Sequence, residues 1–359
     1  MTVALAAAGT GGHVYPALAV AEALVKRGVR REQVVFFGGS RLEATEVPAA
    51  GYPLLWVEVT GLRRSLSPRN LKLPAVVSRA SRKIHSELRA RRVRVMLAMG
   101  GYVTVPAALA ARRSGIPLFV QEQNAIPGLA TRFASRRARK TFIAFPEAAR
   151  RLRRTKLVGN PLREALAQFD RAELRPSALE RYGLEPGLPV LGVLGGSLGA
   201  QVLNEMVVEM ARSWEGPDLA IVHLTGRAAA EQIARAAEGS RLPWRAVSFE
   251  EDMQFFYAAS DLVLCRAGAM TVSELSATGT PAVLVPLARV GQDGNAAYLA
   301  EAGAAVVIPA RRLEEVPSRI GALVADVNRL ERIRSAALGT ARLDAADRIA
   351  DALLEAVGD

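Results

Sequence analysis

Apolar residues fall along this chain in short unbroken blocks, separated by longer stretches in which they recur at helical spacing. Unbroken blocks predict strands buried on both faces, so the chain reads as an α/β protein built on parallel sheets. In the first half the blocks are Val3–Ala8, Val34–Phe37, Val93–Ala98, Leu118–Val120 and Thr141–Ala144. The second half restarts at Pro189–Leu194 and continues through Leu219–Leu224, Ala246–Phe249, Leu262–Cys265, Ala282–Val285 and Ala305–Ile308. A glycine-rich turn follows the first strand of each half: Gly9-Thr10-Gly11-Gly12-His13, then Gly195-Gly196-Ser197-Leu198-Gly199-Ala200. That repetition predicts two similarly built domains. The divide is expected near Gly159-Asn160-Pro161, where a proline after asparagine breaks regular structure. Leu343–Val357 is a final helix by pattern, and periodicity leaves open which half it packs on.

The first turn carries the sharpest local chemistry. Small residues at the end of a buried strand let a ligand approach the backbone, and Pro16–Val25 then reads as a helix. His13 is thereby presented at a crevice near a helix N-terminus, where an imidazole suits general-base work. A tight turn with an incidental histidine is the alternative. Gly100-Gly101-Tyr102 and Gln121-Glu122-Gln123-Asn124 follow two further strands and are expected to line the same crevice. Val14 stands where a dinucleotide fingerprint needs its third glycine, and Phe37 runs into Gly38-Gly39 with no acidic residue, which disfavours a nicotinamide or flavin enzyme. In the second half, Cys265–Leu275 runs from a strand through small residues into a helix. The exposed amides of Ala269, Met270 and Thr271 make an anion site suited to a diphosphate, and Glu274 suits ribose hydroxyls. The alternative is an ordinary strand–helix junction with Glu274 as a favourable early charge.

Composition changes this picture in two respects. The 359 residues are half hydrophobic, enough for two well-cored domains, and Cys265 is the lone cysteine, which excludes an internal disulfide and fits a reducing cytoplasm. No secretion signal or bilayer-spanning run is expected. The net charge of +12 crowds into the first half, where Arg63, Arg64, Arg69, Lys72, Arg79, Arg82 and Lys83 begin a long cationic stretch. Such a field favours anionic lipid, nucleic acid or phosphorylated substrates, with a merely solvated face as the alternative. Over Gly61–Ile84, Leu62, Leu66, Leu71, Leu73, Val76 and Val77 interleave with those cations, the composition of a peripheral membrane anchor, with a helix whose apolar side faces the core as the alternative. His223 reads as a core residue, His85 as a surface one, and the three tryptophans imply no stacking platform.

Taken in order, Gly9–Pro16, Tyr102, Glu122-Gln123-Asn124, Gly195–Ala200 and Ala267–Glu274 resemble the MurG-type glycosyltransferases of peptidoglycan synthesis. The resemblance runs from the first strand to the last helix. It implies the GT-B fold, two Rossmann-like domains across a deep cleft, with the last helix returning to the N-terminal domain. The domains would then be 1–158 plus 342–359, facing lipid and acceptor, and 159–341, holding UDP-N-acetylglucosamine. The implied reaction is inverting transfer of N-acetylglucosamine to the C4 hydroxyl of lipid I, giving lipid II, without a cofactor or a bound metal.

Residue by residue, His13 matches the base, with Glu122 as a second candidate, and Thr10, Gly11, Gly12 and Tyr102 match substrate-contacting positions. Asn124 matches an asparagine at the donor sugar and acceptor, Arg163 an arginine near the donor, and Ser197 a serine close to the sugar nucleotide. Ala269, Met270, Thr271 and Glu274 match the diphosphate and ribose site, Met253 the uracil region, and Gln292 a glutamine that contacts the sugar. Leu198, Gly291 and the segment Leu287–Val290 depart from the family pattern. The resemblance also implies a peripheral place on the cytoplasmic face of the cell membrane, contact with its anionic surface, and cell-wall synthesis proteins as partners, with no nucleic acid. Rival readings are another GT-B enzyme, such as a UDP-N-acetylglucosamine 2-epimerase, and a basic nucleic-acid-binding protein. The last leaves both glycine-rich turns and Glu274 without a use.

Overall fold

The computed structural model describes residues 1–58, 73–195 and 201–358. Ser197, Leu198 and the 61–72 portion of the expected membrane anchor lie outside the described residues. The chain divides into two compact units, Met1–Arg163 with Leu343–Asp359, and Glu164–Arg342.

The first unit contains a seven-stranded parallel sheet. Its strands are β1 (Thr2–Ala6), β2 (Val34–Gly38), β3 (Leu54–Trp56), β4 (Val93–Ala98), β5 (Leu118–Glu122), β6 (Lys140–Ile143) and β7 (Thr155–Leu157). They lie in the order β3-β2-β1-β4-β5-β6-β7, with Val3 opposite Val34 on one side and Val95 on the other. β3 and β7 are additions to the strands expected from sequence, and both are sheet edges of three residues without a fully buried side chain.

Side-chain alternation sends Val3 and Leu5 to one face and Ala4 and Ala6 to the other. The first face is covered by the helix Gly11–Lys26 and by the C-terminal helix Ala345–Gly358, whose Ile349 and Leu353 are fully buried. Each such side chain stabilises the docking by about 1.5–3 kcal/mol. Arg27 also reaches Asp347 at 2.6 Å and Asp351 at 2.5 Å, but both aspartates are half exposed, so these pairs add at most about 1 kcal/mol. Apolar burial, not ion pairing, holds the last helix in the first unit.

The opposite face is covered by the helices Leu73–Ala90 and Thr104–Ser114. Ala80, Ile84 and Leu88 form a buried stripe at i, i+4 and i+8, so this part of the expected anchor is core. Leu73, Val76 and Val77 remain half-buried, beside the exposed Arg79, Arg82 and Lys83.

The second unit has a six-stranded parallel sheet of β8 (Val190–Leu194), β9 (Ala220–Leu224), β10 (Trp244–Val247), β11 (Leu262–Cys265), β12 (Ala282–Leu284) and β13 (Val306–Val307). Its order is β10-β9-β8-β11-β12-β13. His223 is fully buried in β9, its Nε2 donating to Asn204 Oδ1 at 3.0 Å and its ring stacked 5.9 Å from Trp244. The two units divide between Arg163 and Glu164, a few residues beyond the expected Gly159-Asn160-Pro161. Buried Asn160 holds its stretch in the first unit, donating to the Gln123 carbonyl at 3.2 Å and accepting from Gln121 Nε2 at 2.9 Å. Among the described residues no helix is long and apolar enough to cross a membrane.

Candidate functional site

In an open parallel sheet, ligands meet the carboxyl ends of adjacent strands whose connections leave in opposite directions. That point lies between β1 and β4 in the first unit and between β8 and β11 in the second. In the first unit the glycine-rich turn Gly9–Gly12 stands there, directly after β1.

In the first unit the helix begins at Gly11 and not at Pro16, because the amides of His13 and Val14 bond to the Thr10 carbonyl at 3.0 and 3.2 Å. His13 is therefore in the first helical turn, and Pro16 is inside the helix. The imidazole packs edge-on against Gly100, whose φ is +89°. A Cβ on Gly100 would stand 2.7 Å from His13 Cδ2, 2.9 Å from Nε2 and 3.2 Å from Gln123 Oε1. Nε2 therefore lies on the Gly100 side of the ring, and the nearby Gln123 Oε1 is buried with no hydrogen-bond partner among the described residues. The other nitrogen, Nδ1, faces the exposed Thr10 hydroxyl at 3.3 Å. Burial lowers the His13 pKa to about 4, although the Glu43 carboxylate pulls it upward. The ring is uncharged at neutral pH and free to accept a proton.

Glu43 was not legible from sequence. Its fully buried carboxylate accepts from Gly9 N at 2.9 Å, from Gly39 N at 2.8 Å and from the Tyr102 hydroxyl at 2.6 Å. Burial opposes its charge, but bonds from Gly9, Tyr102 and Gly39 outweigh that cost and hold the carboxyl below the usual carboxylate range. The Tyr102 phenol is shifted upward by burial and by Glu43, so it stays a donor, and Arg41 lies 5.7 Å over its ring.

The remaining candidates of this unit separate into two groups. Glu122 is buried and bonded within its own loop, accepting from Asn124 N at 3.0 Å, Asn124 Nδ2 at 3.2 Å and Gly128 N at 3.2 Å. Burial pushes its carboxyl pKa up against those bonds. The arrangement fixes the Asn124 side chain and leaves Glu122 poorly placed as a base. Arg163 belongs to the first unit, not the second, with its guanidinium 5.2 Å over the Tyr15 ring. Tyr15 in turn rests on Gly11, where a Cβ would stand 2.9 Å from the ring.

In the second unit, β11 is followed by Arg266-Ala267-Gly268, and the helix Ala269–Thr278 starts from an extended Gly268 with no acidic residue in its first turn. Its leading amides come from Ala269, Met270 and Thr271, the first buried and the others half-buried. Glu274, one turn on, accepts from the Tyr257 hydroxyl at 2.7 Å. Asn295 ties this loop to the next, donating to the Ala267 carbonyl at 3.1 Å. Gln292 closes its own loop by accepting from Leu287 N at 3.0 Å. Met253 opens the helix Met253–Ala259, and the turn before it is held by Glu250, which accepts from Arg181, Tyr182 and the Asp252 amide.

Arg266 was passed over in the sequence. It is buried beside this helix start, donates to the Val285 carbonyl at 3.1 Å and keeps an unpartnered Nε among the described residues. Burial lowers its pKa, but from a value so high that it remains a cation. Among the described residues no three His, Cys, Asp or Glu side chains are grouped to hold a metal.

Two Rossmann-like units, each with a loop cluster at its switch point, define the GT-B class of glycosyltransferases. The glycosyltransferase family 28 N-terminal domain matches residues 3–143, and the family 28 C-terminal domain matches residues 190–349. Over 99% of both chains the protein is 42% identical to the UDP-N-acetylglucosamine--N-acetylmuramyl-(pentapeptide) pyrophosphoryl-undecaprenol N-acetylglucosamine transferase of Methylococcus capsulatus. The crystal structure of Acinetobacter baumannii MurG superposes with a TM-score of 0.78 at 27% identity, covering 99% of this chain and 100% of that one. A putative UDP-N-acetylglucosamine 2-epimerase from Listeria monocytogenes reaches a TM-score of 0.73 at 18% identity, covering 99% and 96%, a likeness of fold alone. The chain belongs to the MurG-type transferases of glycosyltransferase family 28.

The close fit of His13 against Gly100 yields a test. Gly100→Ala places a methyl group in the imidazole and strains a positive φ, and turnover is expected to fall about 100-fold, with Gly115→Ala as a control at another positive-φ glycine whose Cβ meets nothing. Steady-state kinetics on both variants measures it, and equal activities would contradict the packing.

Proposed function

We propose that this chain transfers N-acetylglucosamine from UDP-N-acetylglucosamine to the C4 hydroxyl of the muramoyl sugar of lipid I, forming lipid II. The observation that carries this reading is the uncharged His13, set in a glycine-built pocket at the first switch point, in a chain so similar to the Methylococcus transferase. The acceptor oxygen attacks the anomeric carbon opposite the diphosphate, which inverts that centre. The bond from anomeric carbon to diphosphate oxygen breaks, and its electron pair leaves with UDP. The hydroxyl proton passes to His13, and the exposed Nδ1 beside Thr10 is the nitrogen placed to receive it. Asn124, held by Glu122, and Tyr102, held by Glu43, supply fixed polar groups for the sugars.

The departing diphosphate gathers negative charge as the bond breaks. In this reading the amides of Ala269, Met270 and Thr271 meet that charge at a helix start, assisted by the buried cation of Arg266. Glu274 takes the ribose hydroxyls, Met253 marks the uracil turn, Gln292 the sugar hydroxyls, and Arg163 a phosphate.

Binding at the cytoplasmic face of the membrane belongs to the same proposal. Trp56 is 51% exposed with Lys83 Nζ 5.3 Å over its ring, the pairing of an aromatic plate and a cation that suits an anionic interface. Ile126 is exposed on the loop that carries Asn124, and Leu129 is exposed at the start of the helix that follows, which also carries the exposed Arg132.

Transfer of labelled N-acetylglucosamine to a short-chain lipid I analogue tests the reaction. The wild type is expected to give β-1,4 product and His13→Ala to lose about 100-fold or more. Full activity in His13→Ala would move the base elsewhere, and no product from a wild type that binds UDP-N-acetylglucosamine would overturn the acceptor. Co-sedimentation with vesicles containing anionic lipid is expected to weaken as salt rises. Salt-insensitive binding, or equal binding to RNA, would contradict the surface assignment.

A further inference from the structure

Glu43 lies against the His13 pocket, and the reaction outlined above leaves its charge without a task. An acidic residue in the first turn of a short helix is ordinarily a solvated charge that favours the helix end. Glu43 is instead fully buried, and its partners lie 34 and 59 residues away as well as nearby. Oε2 accepts from Gly9, in the turn after β1. Oε1 accepts from Gly39, in the turn after β2, and from Tyr102, in the turn after β4. Three crossovers of the sheet therefore converge on one carboxylate, and two of them make the walls around His13.

We propose that Glu43 is a positioning residue: its carboxylate locks the turns after β1, β2 and β4 together, so that His13 and Tyr102 are held in their working places. The proposal rests on the reading of His13 as the base. No neutral side chain of the same shape can replace it. A glutamine has one accepting end and one donating end, whereas both ends of Glu43 face donors, so one of the three bonds must become a clash of hydrogens. The glycines allow no local repair. A Cβ on Gly39 would stand 2.5 Å from the Tyr102 hydroxyl and 3.2 Å from Glu43 Oε1, so turn, phenol and carboxylate already fill the space.

Charge adds a second effect. The groups around the imidazole are Glu43 from the helix after β2, Tyr102 from the turn after β4, and the neutral Thr10 and Gln123, with Arg41 stacked on Tyr102. Glu43 is the one whose charge supports the protonated ring. Its removal lowers the proton affinity of His13 and makes a weaker base.

The test is steady-state kinetics of the full-length enzyme with UDP-N-acetylglucosamine and a lipid I analogue. For Glu43→Gln, kcat is expected to fall about 10–100-fold, while the KM for the donor stays within about twofold. The acid limb of its kcat/KM profile moves to lower pH, a change that a merely structural loss would not produce. Tyr102→Phe keeps the charge and both amide bonds, so a smaller loss of kcat with an unmoved acid limb is expected. A Glu43→Gln enzyme with wild-type kcat, or one whose loss is carried by the donor KM, overturns the proposal. Where Glu43→Gln fails to fold, as read by circular dichroism, an unchanged kcat in Tyr102→Phe overturns it instead. His13→Ala separates the two readings. If it keeps its kcat, the base and the positioning role fall together; if it is crippled while Glu43→Gln is intact, only the positioning role falls.

Discussion

The first unit's chemistry depends on a missing side chain. His13 occupies the space that any residue but glycine would fill at position 100, and Gly100 holds a φ of +89° that other residues rarely adopt. Removing one methyl group from the turn after β4 thus lets the turn after β1 present its imidazole in a pocket and not on a surface. Burial then sets the charge of the ring, which stays neutral well below the ordinary histidine range. A base of low proton affinity is a weak one, but it is always in the accepting form, and what it lacks in strength is offset by position. Effective alignment of reactants is worth about 7–11 kcal/mol, far more than the basicity forgone.

The two units apply one topological device to opposite charge problems. At the β1/β4 point the turns supply an uncharged proton acceptor braced by a buried anion, Glu43. At the β8/β11 point the turn after β11 supplies helix amides and the buried cation Arg266. In the proposed reaction one set of loops meets the neutral hydroxyl and the other the charged diphosphate.

Much of this was legible in the chain, and the reason is burial. Val34-Val35-Phe36-Phe37 and Val93–Ala98 are recognisable as strands because helices cover both faces of their sheet. Leu54–Trp56 and Thr155–Leu157 were not: each is a sheet edge of three partly exposed residues, the first apolar but short and the second interrupted by Lys156. The start of the first helix was hidden by two glycines and by Pro16, which sits inside it. His13 and Tyr102 stood out in the sequence because each follows glycines in a turn after a strand. Glu43 was missed because what marks it is a set of contacts with residues distant in sequence, while locally it is an unremarked acid at the head of a short helix. Glu122 shows the converse. A carboxylate beside Gln123-Asn124 looks available on paper, and its own loop takes up both oxygens. The helix Leu73–Ala90 carries both a core stripe and exposed cations, so its composition alone points to a membrane while its periodicity points inward.

The central claim is that His13 is an uncharged, half-buried acceptor of protons. With three histidines in the chain, its ring can be followed alone by NMR titration of histidine-labelled protein, assigned through His13→Ala. A midpoint near 4 is the expected result. A midpoint at or above the ordinary value of about 6.5 would contradict it, because the imidazole would then be exposed and charged over much of the working range.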